Sequence, residues 1–124
     1  MILADTSVWI DHLRDRNPEM ELRLQRKQIV QHPYVVAEIA LGSLRNRRRL
    51  LGDLDDLRSV RVAQLIEVRQ MIEAHSLYAK GIGLTDAHLL ASCLVTPGTL
   101  LWTRDSNLAR LAREFGVLFT PMVQ

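Results

Sequence analysis

The sequence predicts an α/β fold in which a parallel sheet carries helices on both faces. Three observations lead there. Short apolar runs without polar alternation recur at Ile2–Ala4, in "QIVQ" and in "TLLW", as expected of strands covered on both faces. Longer segments with apolar residues at helical spacing separate these runs. A hydrophobic fraction of 48% over 124 residues suffices for one core, so residues 1–124 are expected to form a single domain.

The elements follow in order. After the first strand, "TSVWIDHLR" sets Val8, Ile10 and Leu13 near helical spacing. Asn17 and Pro18 open a second helix, "PEMELRLQRK", whose acidic start and basic end suit the helix dipole. "QIVQ" is the second strand, and Pro33 fits the first turn of a helix through "YVVAEIALGSLR". "NRRRLLGDLDDLR" is a further helix, weakened by Gly52, and residues 59–63, "SVRVA", alternate as a short strand does. "QLIEVRQMIEAHSLYAK" places Leu65, Val68, Ile72 and Ala79 on one helical face. "GIGLT" is a turn before the apolar helix "DAHLLASCLV", and "TPG" breaks the chain ahead of the strand "TLLW". "DSNLARLAREF" is the last helix, and Gly116 leads into a final short strand, "VLF". There is no internal repeat and no low-complexity segment.

Bulk composition narrows the function classes. Sixteen Lys and Arg against fourteen Asp and Glu give a formal charge of +2, which permits a nucleic-acid partner without establishing one. Cys93 is the only cysteine, which excludes an intrachain disulfide and a thiolate zinc site and suits a reducing compartment. The N-terminal residues lack a signal-peptide pattern, and the apolar runs are far shorter than the roughly 20 residues that span a bilayer. The expectation is a soluble cytoplasmic domain without a membrane partner.

In open parallel sheets, ligands bind at the carboxyl ends of strands where strand order reverses, so acids just past strands carry the most information. Asp5 ends the first strand and Asp105 follows "TLLWT". Either alone is also explained as a helix N-cap; the repetition brings two carboxylates to one edge if the strands are neighbours. Asp86 opens the helix "DAHLLASCLV", where helix-dipole complementarity is the competing explanation. Glu38 lies within "YVVAEIALG" with no cation on its helical face. Burial of an unpaired carboxylate is costly, and a bound cation would remove that cost, so Glu38 points to function. Together the four suggest a cluster of oxygen ligands, suited to Mg²⁺ or Mn²⁺ rather than to structural zinc. His88 is two residues from Asp86 and faces elsewhere on a helix. His12, His32 and His75 fit no metal spacing, so all four histidines are read as structural or surface residues.

The segments "MILADTSVWIDHLR", "HPYVVAEIALGSLRNR", "GIGLTDAHLLAS" and "LLWTRDSNLARLAREFGV" together resemble the PIN-domain ribonucleases, specifically the VapC toxins of bacterial toxin–antitoxin pairs. The resemblance runs over nearly the whole chain and is thinnest over residues 14–28 and 52–76. It implies a three-layer α/β/α sandwich with the first strand beside the one ending at Thr103. It also implies an acidic pocket at Asp5, Glu38, Asp86 and Asp105, with Thr6 and Thr103 orienting the ligands.

The activity so implied is metal-dependent hydrolysis of RNA by water, leaving 5′-phosphate and 3′-hydroxyl ends. Asp5, Asp86 and Asp105 are read as Mg²⁺ or Mn²⁺ ligands, and Glu38 as a ligand or an orienter of water. The family also implies a small antitoxin covering the active-site groove, and a homodimer. For RNA contact, "RNRRR" supplies Arg45, Arg47, Arg48 and Arg49 as candidates, with Arg104 and Arg110 beside Asp105; a solvated helix face is the competing reading. Trp9 and Trp102 are read as packing residues. Two other classes stay open: a non-catalytic RNA- or protein-binding module on the same fold, and a receiver-like signalling domain. The latter needs an acidic pair after the first strand and Lys-Pro after the last, where this chain has "ADTS" and "FTP".

Overall fold

The computed structural model describes residues 1–122. Three strands, β1 (Ile2–Ala4), β2 (Ile29–Val30) and β3 (Leu100–Trp102), form a parallel sheet of order β2-β1-β3. Ile2 pairs with Ile29 on one side and Leu100 on the other, and Ala4 pairs with Trp102. The chain leaves β1 for one neighbour and returns to the opposite side for the other. Strand order therefore reverses at the β1–β3 boundary, where such sheets open a crevice. The expected adjacency of the first strand and the one ending at Thr103 holds.

Seven helices complete the three-layer α/β/α sandwich among the described residues: α1 (Thr6–Arg14), α2 (Pro18–Gln25), α3 (Pro33–Ala40), α4 (Arg47–Asp56), α5 (Leu65–Ala74), α6 (Leu84–Val95) and α7 (Ser106–Glu114). Local chemistry explains their starts. Asp5, Asn17 and Asp105 accept from the backbone N–H groups of Val8, Met20 and Leu108, satisfying donors that the first helical turn leaves unpaired. α1 packs on α3, α3 on α4 and α5 on α6, while α6 and α7 pack against β3. The core joins Leu3, Val30 and Leu101 of the sheet to Val8, Ile39, Leu89, Leu90, Leu108 and Leu111 of the helices.

Four boundaries differ from the sequence reading. α3 stops at Ala40, because the chain turns through Gly42 and the left-handed Asn46 before α4. α5 stops at Ala74; Ser76 and Ala79 adopt positive φ angles of 52° and 58°, so Ala79 is not on the helical face assigned to it. Residues 59–63 supply only one bridge, Ser59 to Gln31. Beyond it, the N–H groups of Arg61 and Ala63 donate to side chains of Thr96 and Ser92 instead of to a strand. The final strand likewise reduces to one bridge, Leu118 to Leu101.

Candidate active site

Asp5 stands at the carboxyl end of β1 and is 5% exposed. Its Oδ1 accepts from the Val8 N–H at 3.1 Å and the Ser7 hydroxyl at 2.5 Å, and its Oδ2 accepts from the Thr103 hydroxyl. Thr103 Oγ1 in turn accepts from the Asp105 N–H at 3.0 Å. One hydroxyl thus ties the acid after β1 to the acid after β3. Asp105 is exposed and caps α7, its Oδ1 accepting from the Leu108 N–H at 2.9 Å. Both residues are helix caps and both sit at the switch point, so capping does not exclude a place at the sheet edge.

Asp86 lies half-buried in the first turn of α6. Burial raises its pKa above the ordinary carboxylate value. The negative charges of Asp105, Asp5 and Glu38 push the same way, against a hydrogen bond from the Gly83 backbone. A carboxylate that feels all three others shares one field with them, although the four come from separate stretches of chain.

Glu38 corrects an expectation. It is exposed, not buried, and its Oε1 accepts from the Thr6 hydroxyl at 2.5 Å. The apolar residues around it in sequence divide between two faces: Val35 and Ile39 enter the core, whereas Leu41 is 88% exposed. Glu38 belongs to the open face, so no burial cost argues for a cation there. Its tie to Thr6, next to Asp5, is what joins it to the site.

The donor set is carboxylate and hydroxyl oxygen, which fits a hard divalent cation. Among the described residues, no group of three acidic, His or Cys side chains is arranged as a cage for a metal ion. Mg²⁺ does not require one: it keeps several waters and takes one or two carboxylates together with substrate phosphate. The crowding of negative charge at Asp86 is the feature a cation would answer.

A profile of the PIN domain family matches residues 2–114. Two curated relatives, both named Ribonuclease VapC32, come from Mycobacterium tuberculosis strains CDC 1551 / Oshkosh and ATCC 25618 / H37Rv. Each is 39% identical over 117 residues, covering 94% of this chain and 94% of the relative. The chain belongs to the VapC family of PIN-domain proteins. That membership displaces the receiver-like reading.

The surroundings of this PIN-domain pocket sort the remaining candidates. Ser7 is a neighbour of the candidate site that the sequence reading passed over. It donates to Asp5 and accepts from the Arg104 N–H at 3.3 Å; a hydroxyl two residues past the strand-end acid, in "DTS", was the available signal. Arg47 is exposed but already engaged: its guanidinium donates to the Ala40 carbonyl at 2.6 Å and the Gly42 carbonyl at 3.4 Å, sealing the end of α3. Arg104 is paired with Asp11 at 2.5 Å. Arg45, Arg48 and Arg49 form no ion pair among the described residues. Arg45 and Arg49 join Arg14, Leu13, Leu44 and Leu50 around a cleft of about 600 Å³. This cleft lies at the far end of α1 from Asp5, about 12 Å away along the helix axis. Trp9 and Trp102 are buried, as expected. Among the described residues, no helix is long and apolar enough to cross a membrane.

Proposed function

We propose that this PIN domain is a metal-dependent endoribonuclease, the toxin of a toxin–antitoxin pair. The observation that carries the reading is the gathering of carboxylates at the β1–β3 boundary: Thr103 ties Asp5 to Asp105, Thr6 ties in Glu38, and Asp86 lies within reach of the charges of all three. The ribonuclease name of the relatives supports the substrate class.

Mg²⁺ or Mn²⁺, when bound, neutralises this field, draws in a phosphate and acidifies a water. The remaining work belongs to the chain. Asp5 is immobilised by three donors, so the acceptor site left on its Oδ2 can take a ligand at little further ordering cost. Asp86 and Asp105 complete the ligand set, and Thr103 holds the spacing of Asp5 and Asp105. Glu38, exposed and steadied by Thr6, orients the attacking water. Water displaces the 3′ oxygen in line, which leaves 5′-phosphate and 3′-hydroxyl ends.

Arg45, Arg48 and Arg49 attract the RNA backbone. Arg47 and Arg104 play a smaller part, since each already has an intramolecular partner. A small antitoxin closes the groove, and the chain works as a homodimer in the cytoplasm. Leu65 and Ile66, left exposed side by side at the start of α5, support an apolar contact face.

The test is cleavage of RNA by the purified protein in EDTA and after Mg²⁺ or Mn²⁺ is restored. Activity is expected only with metal, with ligatable 5′-phosphate ends. A chelator-insensitive nuclease would sink the metal mechanism. A protein that neither cuts RNA nor gains thermal stability from divalent ions would be a binding module instead.

A further inference from the structure

Beside the acids lies an aromatic cluster with no part in the chemistry above. His32 caps α3, with Nδ1 accepting from the Tyr34 N–H at 3.0 Å, and is 0% exposed. His88 of α6 is 2% exposed. The His32 Nε2 and both ring nitrogens of His88 are buried without a hydrogen-bond partner. The Tyr34 ring packs against both, 4.6 Å from the His88 centroid and 5.1 Å from that of His32. Yet Tyr34 itself is 40% exposed.

Two positions make this exposure informative. Tyr34 is one turn before Glu38 on α3, so the two share a helix face about 5–6 Å apart at Cβ. Its backing ring, His88, is two residues past Asp86. The two histidines are buried, so the Tyr34 ring is backed by packed rings while the residue stays partly open to solvent. Tyr78 is also exposed but has no ring contact among the described residues, and both tryptophans are in the core.

We propose that Tyr34, held against His88 and His32, is a stacking platform for an unpaired nucleobase of the RNA substrate adjoining the scissile phosphate. Single-stranded RNA is commonly read by bases splayed onto aromatic rings. A fixed ring loses little freedom when a base stacks on it. The inference rests on the nuclease reading and adds a base-binding subsite to it. Its chemistry selects single-stranded over duplex RNA.

The experiment uses an oligonucleotide containing a cleavage site mapped with the parent protein. It carries 2-aminopurine in turn at each position around that site, and binding is measured in the Asp5→Asn background so that nothing is cut. Stacking should quench the probe at one position. Tyr34→Phe should keep both the quenching and the affinity, whereas Tyr34→Leu, which still covers His88, should lose the quenching and bind about tenfold weaker. An abasic site at that position should abolish the difference between Tyr34→Leu and its background. In active protein, Tyr34→Leu should raise KM and leave kcat nearly unchanged. If the parent cuts RNA while Tyr34→Leu binds as Tyr34→Phe does, or the abasic site leaves the difference intact, the stacking role is wrong and the nuclease reading survives. A parent that neither cuts nor binds RNA overturns both.

Discussion

A hydroxyl donates once and accepts twice, and Thr103 uses both capacities, giving its proton to Asp5 and receiving the Asp105 N–H. Thr103→Val keeps the shape and removes both bonds. Cleavage should fall about 10- to 100-fold, with a stability loss of only ~1 kcal/mol, while Thr103→Ser should retain activity. Parental cleavage by the Val variant would leave Thr103 without a positioning role. Asp86 tests the electrostatics from the other direction. A carboxyl whose folded pKa is raised opposes folding once it ionises, so the fold gains stability as pH drops through that pKa. Asp86→Asn should therefore melt higher than the parent in EDTA while losing nuclease activity. Glu38 is exposed, and its charge is the smallest of the three that act on Asp86. Glu38→Gln should leave the EDTA melting temperature nearly unchanged and still cut poorly, and a clear rise in its melting temperature would mean that Glu38 shares the stored repulsion of Asp86.

Helix ends explain why site and scaffold are separable here. Asp5 and Asp105 each cap a helix, and Asn caps about as well as Asp, whereas Ala costs about 1 kcal/mol. Asp5→Asn should thus abolish cleavage at a nearly unchanged melting temperature, and Asp5→Ala should lose both activity and stability. Equal melting of the two variants would show that the cap contributes nothing. The arginines before and within α4 divide by the same logic. Arg47→Ala removes donors to the last carbonyl of α3 and to that of Gly42 just past it and should destabilise by about 1 kcal/mol with the salt dependence of RNA binding unaltered. Replacing Arg45, Arg48 and Arg49 by Gln should leave the melt alone and flatten the salt dependence by roughly one unit of slope per lost phosphate contact. An unchanged slope would return these residues to solvated surface.

Across the molecule, pH dependence is set by opposed groups. Burial holds His32 neutral, its pKa lowered to about 4 from 6.5, with His88 adding in the same direction. As pH falls through 6.5 the unfolded chain takes up a proton that the folded chain refuses until about 4. Stability is therefore lost across that window and levels off below it. Asp86 works against this loss, since its protonation relieves the crowded acids. The melting temperature of the metal-free protein should fall between pH 6.5 and 4, and more steeply in Asp86→Asn, which lacks the compensating group. His32→Asn retains a capping side chain but cannot titrate, and should flatten the decline. A decline of equal steepness in that variant would assign the effect elsewhere.

Short apolar strands, helix caps and the acids beyond the strands are local features, and they were legible in the residues. β1, β2 and β3 needed only their uninterrupted apolar runs; α1, α2 and α7 announced themselves through Asp5, Asn17 and Asp105. Periodicity did not locate the ends of α3 and α5, because the chain leaves these helices through left-handed Asn46, Ser76 and Ala79, residue types that carry no obligatory signal. Nor did it decide how many strands the sheet has. Whether residues 59–63 or 117–119 make a ladder depends on which partner captures their N–H groups, and the side chains of Ser92 in α6 and Thr96 just past it take two of them. The exposure of Glu38, the employment of Arg47 and Arg104 and the support beneath Tyr34 share one cause. Each is set by residues distant in sequence or by the path of the chain after a turn, and a one-dimensional pattern records neither. The kinds of atoms at the site were written in the chain, and packing decided which of them face one another.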